Sequence, residues 1–274
     1  MVGDSPAMAQ VLERVKRAAA QVAPVLLVGE PGTGRRHIAR AIHLASRAQP
    51  SRFGVLRDGA RPPDVEQALA ACAGGTLFVG EIAGVGAEAQ AALGRSLRAA
   101  TTRLAVATER ELAASVDAGR VRADLAQELG EPITLPPLRA RRSDIALLVE
   151  HFLGSFCSRR SGCVWGASEP ALRALRAYDW PGNIRELRAA VEHAITAGRS
   201  GWIRVADLPE AVRGAAPGTY DAGPEPELPT IAETEARLVR LTLLHFRGNK
   251  AAAARSLGIS RHRLYETLRR LANP

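Results

Sequence analysis

Apolar and polar residues follow two periods along this chain, and the changes of period mark its parts. Short apolar runs occupy Val25–Val28, Phe53–Leu56, Thr76–Val79, Leu104–Ala107 and Ile133–Leu135. Runs of this length without a polar face predict strands buried on both sides. Between them, apolar residues recur at helical spacing, notably over Ala7–Ala20, Val65–Ala71 and Ala87–Ala99. Strands alternating with helices over residues 1–137 imply an α/β domain: a parallel sheet covered on both faces.

Residues 138–212 carry a helical pattern instead. Ser143-Asp144 can start a helix through Ile145–Phe156, with Ser143 as its cap. Ser168-Glu169-Pro170 starts another, with proline at a tolerated first-turn position. Trp180-Pro181-Gly182-Asn183 reads as a turn ahead of a helix over Ile184–Thr196. Residues 213–230 are rich in glycine, proline and acid, the composition of a flexible linker.

Residues 231–274 parse as three helices. Gly248 ends the first, Asn249 caps the second, Gly258 ends the second and Ser260 caps the third. Ala251–Ala254 would let helices approach closely, and Leu264, Leu268 and Leu271 form the buried stripe of the last. Helix, glycine turn and basic helix is the helix-turn-helix layout, which expects double-stranded DNA as partner. Base-edge candidates are Arg261, His262, Arg263 and Glu266, with Ser260 at the helix start. Phosphate candidates are Lys250, Arg269 and Arg270. Tyr265 has two readings, stacking on a sugar or packing on the first helix.

Charge adds to this picture. Of 274 residues, 37 are basic and 28 acidic, a net of +9, and from Ile231 onward the balance is nine basic to three acidic. The excess is concentrated where the motif lies, as a polyanion partner requires. Only Lys16 and Lys250 are lysine; every other basic residue is arginine. No apolar run approaches membrane-spanning length and no signal-peptide pattern opens the chain, so a cytoplasmic protein without membrane contact is expected. Cys72, Cys157 and Cys163 form no metal-binding pair, which predicts free thiols and no metal site.

The sharpest local signal is Gly29-Glu30-Pro31-Gly32-Thr33-Gly34-Arg35-Arg36, between an apolar strand and a helix. This is the order of a phosphate-binding loop, whose standard form is G-x-x-x-x-G-K-[ST]. Gly29 and Gly34 are in register, and backbone N–H groups at the helix start would cradle a phosphate. Arg35 stands in place of the lysine, and neither Arg35 nor Arg36 can ligate a metal, because guanidinium has donors only.

With these residues in view the chain resembles the sigma-54-dependent transcription activators, the bacterial enhancer-binding proteins. The resemblance runs from Gly3 to the C-terminus, with no receiver or other sensory segment ahead of it in the sequence. It is carried by GEPGTGRR, GGTLFVGEI at Gly74–Ile82, LPPLRARRSDIALLVEHFL at Leu135–Leu153, WPGNIREL at Trp180–Leu187 and the final GNKAAAARSLGISRHRLYETL. It implies an AAA+ P-loop domain with a parallel sheet, an all-α lid subdomain and a C-terminal three-helix Fis-type domain.

The departures from the family pattern are as informative as the matches. The family's second nucleotide motif ends in Asp-Glu; here it ends in Gly80-Glu81, which retains the base that polarises water and loses the aspartate. The sensor I asparagine becomes Glu109. Of two arginine-finger positions in the family's FRxDLYYRL, Arg122 keeps the first and Glu128 replaces the second. Arg185 matches sensor II. Between Gly34 and Gly75 there is room for one strand and one helix, and no sequence like the GAFTGA loop that grips sigma-54. Together these predict a DNA-binding transcriptional regulator whose degenerate core holds ATP or ADP weakly, lacks Mg2+ and has lost turnover. Such a core would serve oligomerisation, with dimerisation through the DNA-binding end. The remaining readings are a hydrolysing activator, a non-hydrolysing ATP/ADP sensor, and a subunit that modulates an intact relative.

Overall fold

The computed structural model describes residues 2–46, 52–57, 59–157, 166–198 and 201–215. Of the C-terminal segment it describes residues 235, 238–240, 242–243, 246 and 248–272, with side chains as far as Leu268. The linker expected over 213–230 lies outside the described residues from 216 onward, as do Cys163 and most of the first helix of the DNA-binding segment.

Residues 1–145 and 178–189 form one compact unit; residues 146–177 and 190–274 form a second. In the first, β1 (Val25–Val28), β2 (Phe53–Leu56), β3 (Thr76–Val79), β4 (Arg103–Thr108) and β5 (Pro132–Thr134) make a five-stranded sheet in the order β2-β3-β4-β1-β5. Every pairing is parallel. The strands match the apolar runs of the sequence to within a residue or two, and β5 begins one residue earlier than the expected Ile133.

The apolar runs bury both ways, as their composition requires. Leu77, Val79, Leu104 and Val106 face one core, which α3 (Pro62–Ala71) and α4 (Ala87–Ala99) line with Val65, Ala89 and Leu93. The intervening Phe78, Ala105 and Ala107 face the other, covered by Met8, Val11 and Val15 of α1 (Pro6–Ala20) and Ile38 and Ile42 of α2 (Arg35–Ala45). Each fully buried valine, leucine, isoleucine, phenylalanine or methionine among them contributes about 1.5–3 kcal/mol, so both faces are strongly fixed. Two short helices that periodicity did not resolve, α5 (Leu112–Asp117) and α6 (Ala123–Gln127), follow β4.

Arg103, at the start of β4, is buried, and burial pushes its guanidinium pKa down. It donates to the Ala18 and Ala23 carbonyls at 2.7 and 2.9 Å. These include a carbonyl of the last turn of α1, where a cation is favoured by the helix dipole.

At the other end of the first unit, the buried Asp144 opens α7 (Asp144–Cys157). Its Oδ1 accepts the N–H groups of Asp4 and Ser5, both at 2.9 Å, and its Oδ2 accepts the Ser5 hydroxyl at 2.8 Å. Ser5 in turn caps α1 by accepting from the Met8 N–H. The chain's start is thus tied to a residue about 140 positions away by a carboxylate whose acceptor capacity is filled by neighbours.

The second unit contains α8 (Glu169–Ala177), which Ser168 caps, and α10 (Glu210–Gly214); α9 (Asn183–Ala197) divides between the units. It also contains a two-residue parallel pairing of β6 (Gly166–Ala167) with β7 (Trp202–Ile203), which the purely helical reading of residues 138–212 did not include. Among the described residues no helix is long and apolar enough to cross a membrane. Cys72 is free and buried in the first core.

Candidate nucleotide site and DNA reader

Strand order determines which loops meet. β4 pairs with β1 on one side and β3 on the other, so the carboxyl ends of β3, β4 and β1 lie in succession along one sheet edge. That edge is where open parallel sheets bind ligands. The phosphate loop leaves β1 there, with the Gly29 N–H donating to the Thr108 carbonyl at 3.1 Å. Gly32 and Gly34 have φ of +81° and +104°, the left-handed region that glycine alone enters freely. Gly34 starts α2 with no side-chain cap, so the first N–H groups of the helix have no acceptor within it. Thr33 is buried and donates its hydroxyl back to the Glu30 carbonyl at 2.7 Å.

Arg35, the first residue of α2, is directed to the two neighbouring strand ends. Its Nη1 donates to Glu81 Oε2 at 3.3 Å, and its Nη2 lies 3.8 Å from Glu109 Oε1. The Glu109 N–H donates to the same Glu81 Oε2 at 2.9 Å, and the Ala83 N–H reaches Glu81 Oε1. The Arg35 side chain is only 12% exposed, against 48% for Glu109. One guanidinium therefore lies between two carboxylates. Arg36, on the next helical position, is exposed.

The back of the loop is held by groups that sequence reading did not single out. Asn183 is fully buried, its Oδ1 accepts the Leu138 N–H at 2.8 Å, and its Nδ2 donates to the Pro31 carbonyl and Glu30 Oε2, both at 3.1 Å. The Ile184 N–H donates to the Gly32 carbonyl, and a Cβ on Gly32 would lie 2.1 Å from the Gly182 carbonyl oxygen. The Trp180–Asn183 turn and the loop therefore approach to backbone contact. The same hypothetical Cβ would lie 3.3 Å from that of Arg185, so the exposed Arg185 starts beside the loop. Arg141, buried, donates to the Thr33 carbonyl at 3.2 Å, and burial pushes its pKa down.

Glu30, expected among the nucleotide contacts, has its carboxylate on Arg139 and Asn183 instead. Hydrogen bonds from those two groups, Arg139 foremost, hold its pKa at about 2. Arg122, the arginine-finger candidate, forms a two-point pair with Asp124 at 2.9 and 2.8 Å, which raises its pKa. The signal for Arg139, Arg141 and Asn183 in the sequence was the strings LPPLRARRSDI and WPGN, whose polar residues follow no helical or strand period.

In the DNA-binding segment, Asn249 accepts from the Ala252 N–H and Ser260 from the Arg263 N–H, the expected caps of the helices Lys250–Ser256 and Arg261–Ala272. Gly248 and Gly258 have φ of +81° and +64°. Ala254 and Leu264 are buried together with Val239, and Leu243, Leu257, Ile259 and Leu268 pack against them. Arg261 and His262 are exposed, with His262 3.6 Å from Glu266. Arg263 is exposed but pairs with Glu235 at 3.0 Å. Tyr265 neither packs inward nor stands alone: it is 48% exposed and Lys250 Nζ sits 4.8 Å above its ring. Arg269 and Arg270 are helical, and their side chains lie outside the described residues.

Comparison with known proteins bears on all three parts. The sigma-54 interaction domain matches residues 2–138, the AAA+ ATPase lid domain residues 139–224, and the bacterial regulatory protein Fis family residues 230–271. The transcriptional regulatory protein ZraR of Escherichia coli is 35% identical over 304 residues, covering 98% of this chain and 68% of that protein. That alignment is longer than the 274 residues of this chain, so it contains gaps. Nitrogen fixation protein VnfA of Azotobacter vinelandii is 31% identical over 95% of this chain and 56% of its own length. Crystal structures of NtrX from Brucella abortus superpose over 99% of this chain at 26% identity. The complex with ADP gives a TM-score of 0.72 over 70% of that chain, and the complex with ATP 0.70 over 69%.

Proposed function

The chain belongs to the family of sigma-54-dependent transcriptional activators, and from that premise we propose that it regulates transcription from DNA with a core that binds nucleotide and does not hydrolyse it. The observation that carries this reading is the pairing of Arg35 with Glu81. Hydrolysis on a phosphate loop needs a metal bridging the outer phosphates, a cation on them and a free base for water. Here the residue at the lysine position is spent on the residue at the base position.

The two expected ligands fit the site differently. A phosphate suits the uncapped start of α2 and the N–H groups of Gly32 and Gly34, with Arg185 beside them. Relatives of this fold bound to ADP and ATP support nucleotide binding. Mg2+ does not fit. It needs oxygen ligands near octahedral geometry. Gly80 offers no side chain, Arg35 and Arg36 offer no lone pair, and Glu81 already accepts from Arg35, Ala83 and Glu109.

The missing insertion between α2 and β3 adds a second support. Among the described residues only β2 and α3 lie there, and no sequence like the loop with which relatives of this type grip sigma-54 occurs between α2 and β3. The protein then acts by position: the Fis-type end dimerises on DNA, and the core assembles copies or recruits an intact relative.

The test is phosphate release by the purified chain beside an intact relative, with DNA binding measured in parallel. The expected result is no Mg2+-stimulated release above background and sequence-selective retention of DNA at stated salt. Brisk Mg2+-dependent turnover, abolished by Glu81→Gln, would overturn the reading.

A further inference from the structure

The phosphate loop and the Arg35 cluster divide the candidate site into two ends of opposite character. At one end the donors are neutral backbone N–H groups at the start of α2, reinforced by the helix dipole. At the other, where the loop lysine ordinarily reaches the outermost phosphate, stand Arg35, Glu81 and Glu109. The formal charge there is one positive against two negative. Resting on the reading of this core as nucleotide-binding, we propose that the site selects a nucleoside diphosphate over the triphosphate and takes it without a divalent cation, with Glu109 setting the preference.

The argument is one of charge and reach. The α- and β-phosphates of a nucleotide need only the cradle, which Arg35 does not occupy because its guanidinium is turned to the carboxylates. A third phosphate extends toward those carboxylates and adds negative charge to a group already net negative. Arg35 can meet it only by leaving Glu81, and its side chain is largely enclosed at 12% exposure. Leaving would also free Glu81 and Glu109 to repel the newcomer. The Glu109 backbone is held beside Glu81, since its N–H is hydrogen-bonded to Glu81 Oε2 at 2.9 Å. In a site with lysine, metal and a neutral sensor residue the same phosphate meets net positive charge, so the preference is a property of these particular residues.

Titration calorimetry of the full chain with ADP and with ATP, each in EDTA and in MgCl2, tests this directly. The expected result is ADP binding roughly tenfold tighter than ATP in EDTA, a gap of one factor of ten in dissociation constant. Mg2+ should shift neither by more than about twofold. Glu109→Gln, which removes the charge and keeps the shape, should bring the two nucleotides to within about threefold of each other. ATP binding as tightly as ADP in wild-type protein, or Mg2+ tightening ATP, overturns the inference whatever the variant does. So does the absence of any nucleotide binding, which would also overturn the nucleotide-binding part of the proposed function and leave only the DNA-binding regulator. Conversely, hydrolysis in MgCl2 would remove the proposed function, while the ratio in EDTA, where no turnover occurs, is read independently.

Discussion

Arg139 and Glu30 lie fork to fork at 2.8 and 2.5 Å, and this pair closes the outer side of the phosphate loop. A planar guanidinium matches a carboxylate with two parallel hydrogen bonds, which fixes orientation as well as distance. With Glu30 so held and Asn183 also donating to its Oε2, the loop is fixed by its own neighbours.

The pair makes a pH prediction. Glu30 titrates near 2 in the folded protein, against an ordinary value of 4.5. A depressed carboxyl stabilises the fold above its unfolded pKa, and that contribution fades as pH falls from about 4.5 toward 2. Both partners are over a third exposed, so solvent limits the effect to about 1 kcal/mol or less. Urea midpoints at neutral and acid pH should fall further for the wild type than for Glu30→Gln. An equal fall in both would show that the pair contributes nothing to acid sensitivity.

Asn183→Ala should cost about 2–4 kcal/mol, because it leaves the Leu138 N–H and the Pro31 carbonyl without their partner in a buried place. Asn183 also has φ of +54°, which asparagine tolerates better than alanine. Denaturant unfolding measures the loss. A change within about 0.5 kcal/mol, the range of an ordinary surface substitution, would mean that the Trp180–Asn183 turn does not depend on this side chain.

Asp144→Ala removes the acceptor of three hydrogen bonds and should destabilise by about 3 kcal/mol. Asp144→Asn keeps one carboxyl-like oxygen and should lose less. Limited proteolysis should then cut within the first few residues of the alanine variant and spare the wild type. Equal protection in both would contradict the anchoring of the chain's start.

At the DNA-binding end, Arg261 and Arg263 should separate. Arg261 is exposed at the first turn of the recognition helix, so Arg261→Ala should cost about 1–3 kcal/mol of sequence discrimination. Arg263 pairs with Glu235, and Arg263→Ala should cost less than about 1 kcal/mol, as exposed ion pairs usually do. Competition gel shifts at fixed salt compare the two. Equal losses would place Arg263 on a base edge despite its partner.

These sites differ in how far they could be read from the residues alone. The strands, the glycine loop, the capped helices and the basic recognition helix were legible, because each rests on local rules: a short continuous apolar run, a period of 3.6, glycine at positive φ, a side-chain oxygen three residues from an N–H. Asn249 and Ser260 cap their helices by such a rule. The substitution of Arg35 for lysine was equally plain.

What Arg35 touches was not. Glu81 is 46 residues away and reaches it only because β3, β4 and β1 are ordered as they are. Asn183 meets Glu30 across 153 residues for a similar reason. Sequence determined which chemical groups this protein has and which short elements carry them, since those depend on neighbours along the chain. Tertiary structure decided which groups neutralise one another, because strand order and the approach of backbone to backbone at Gly32 and Gly182 set charge–charge distances that no local period encodes.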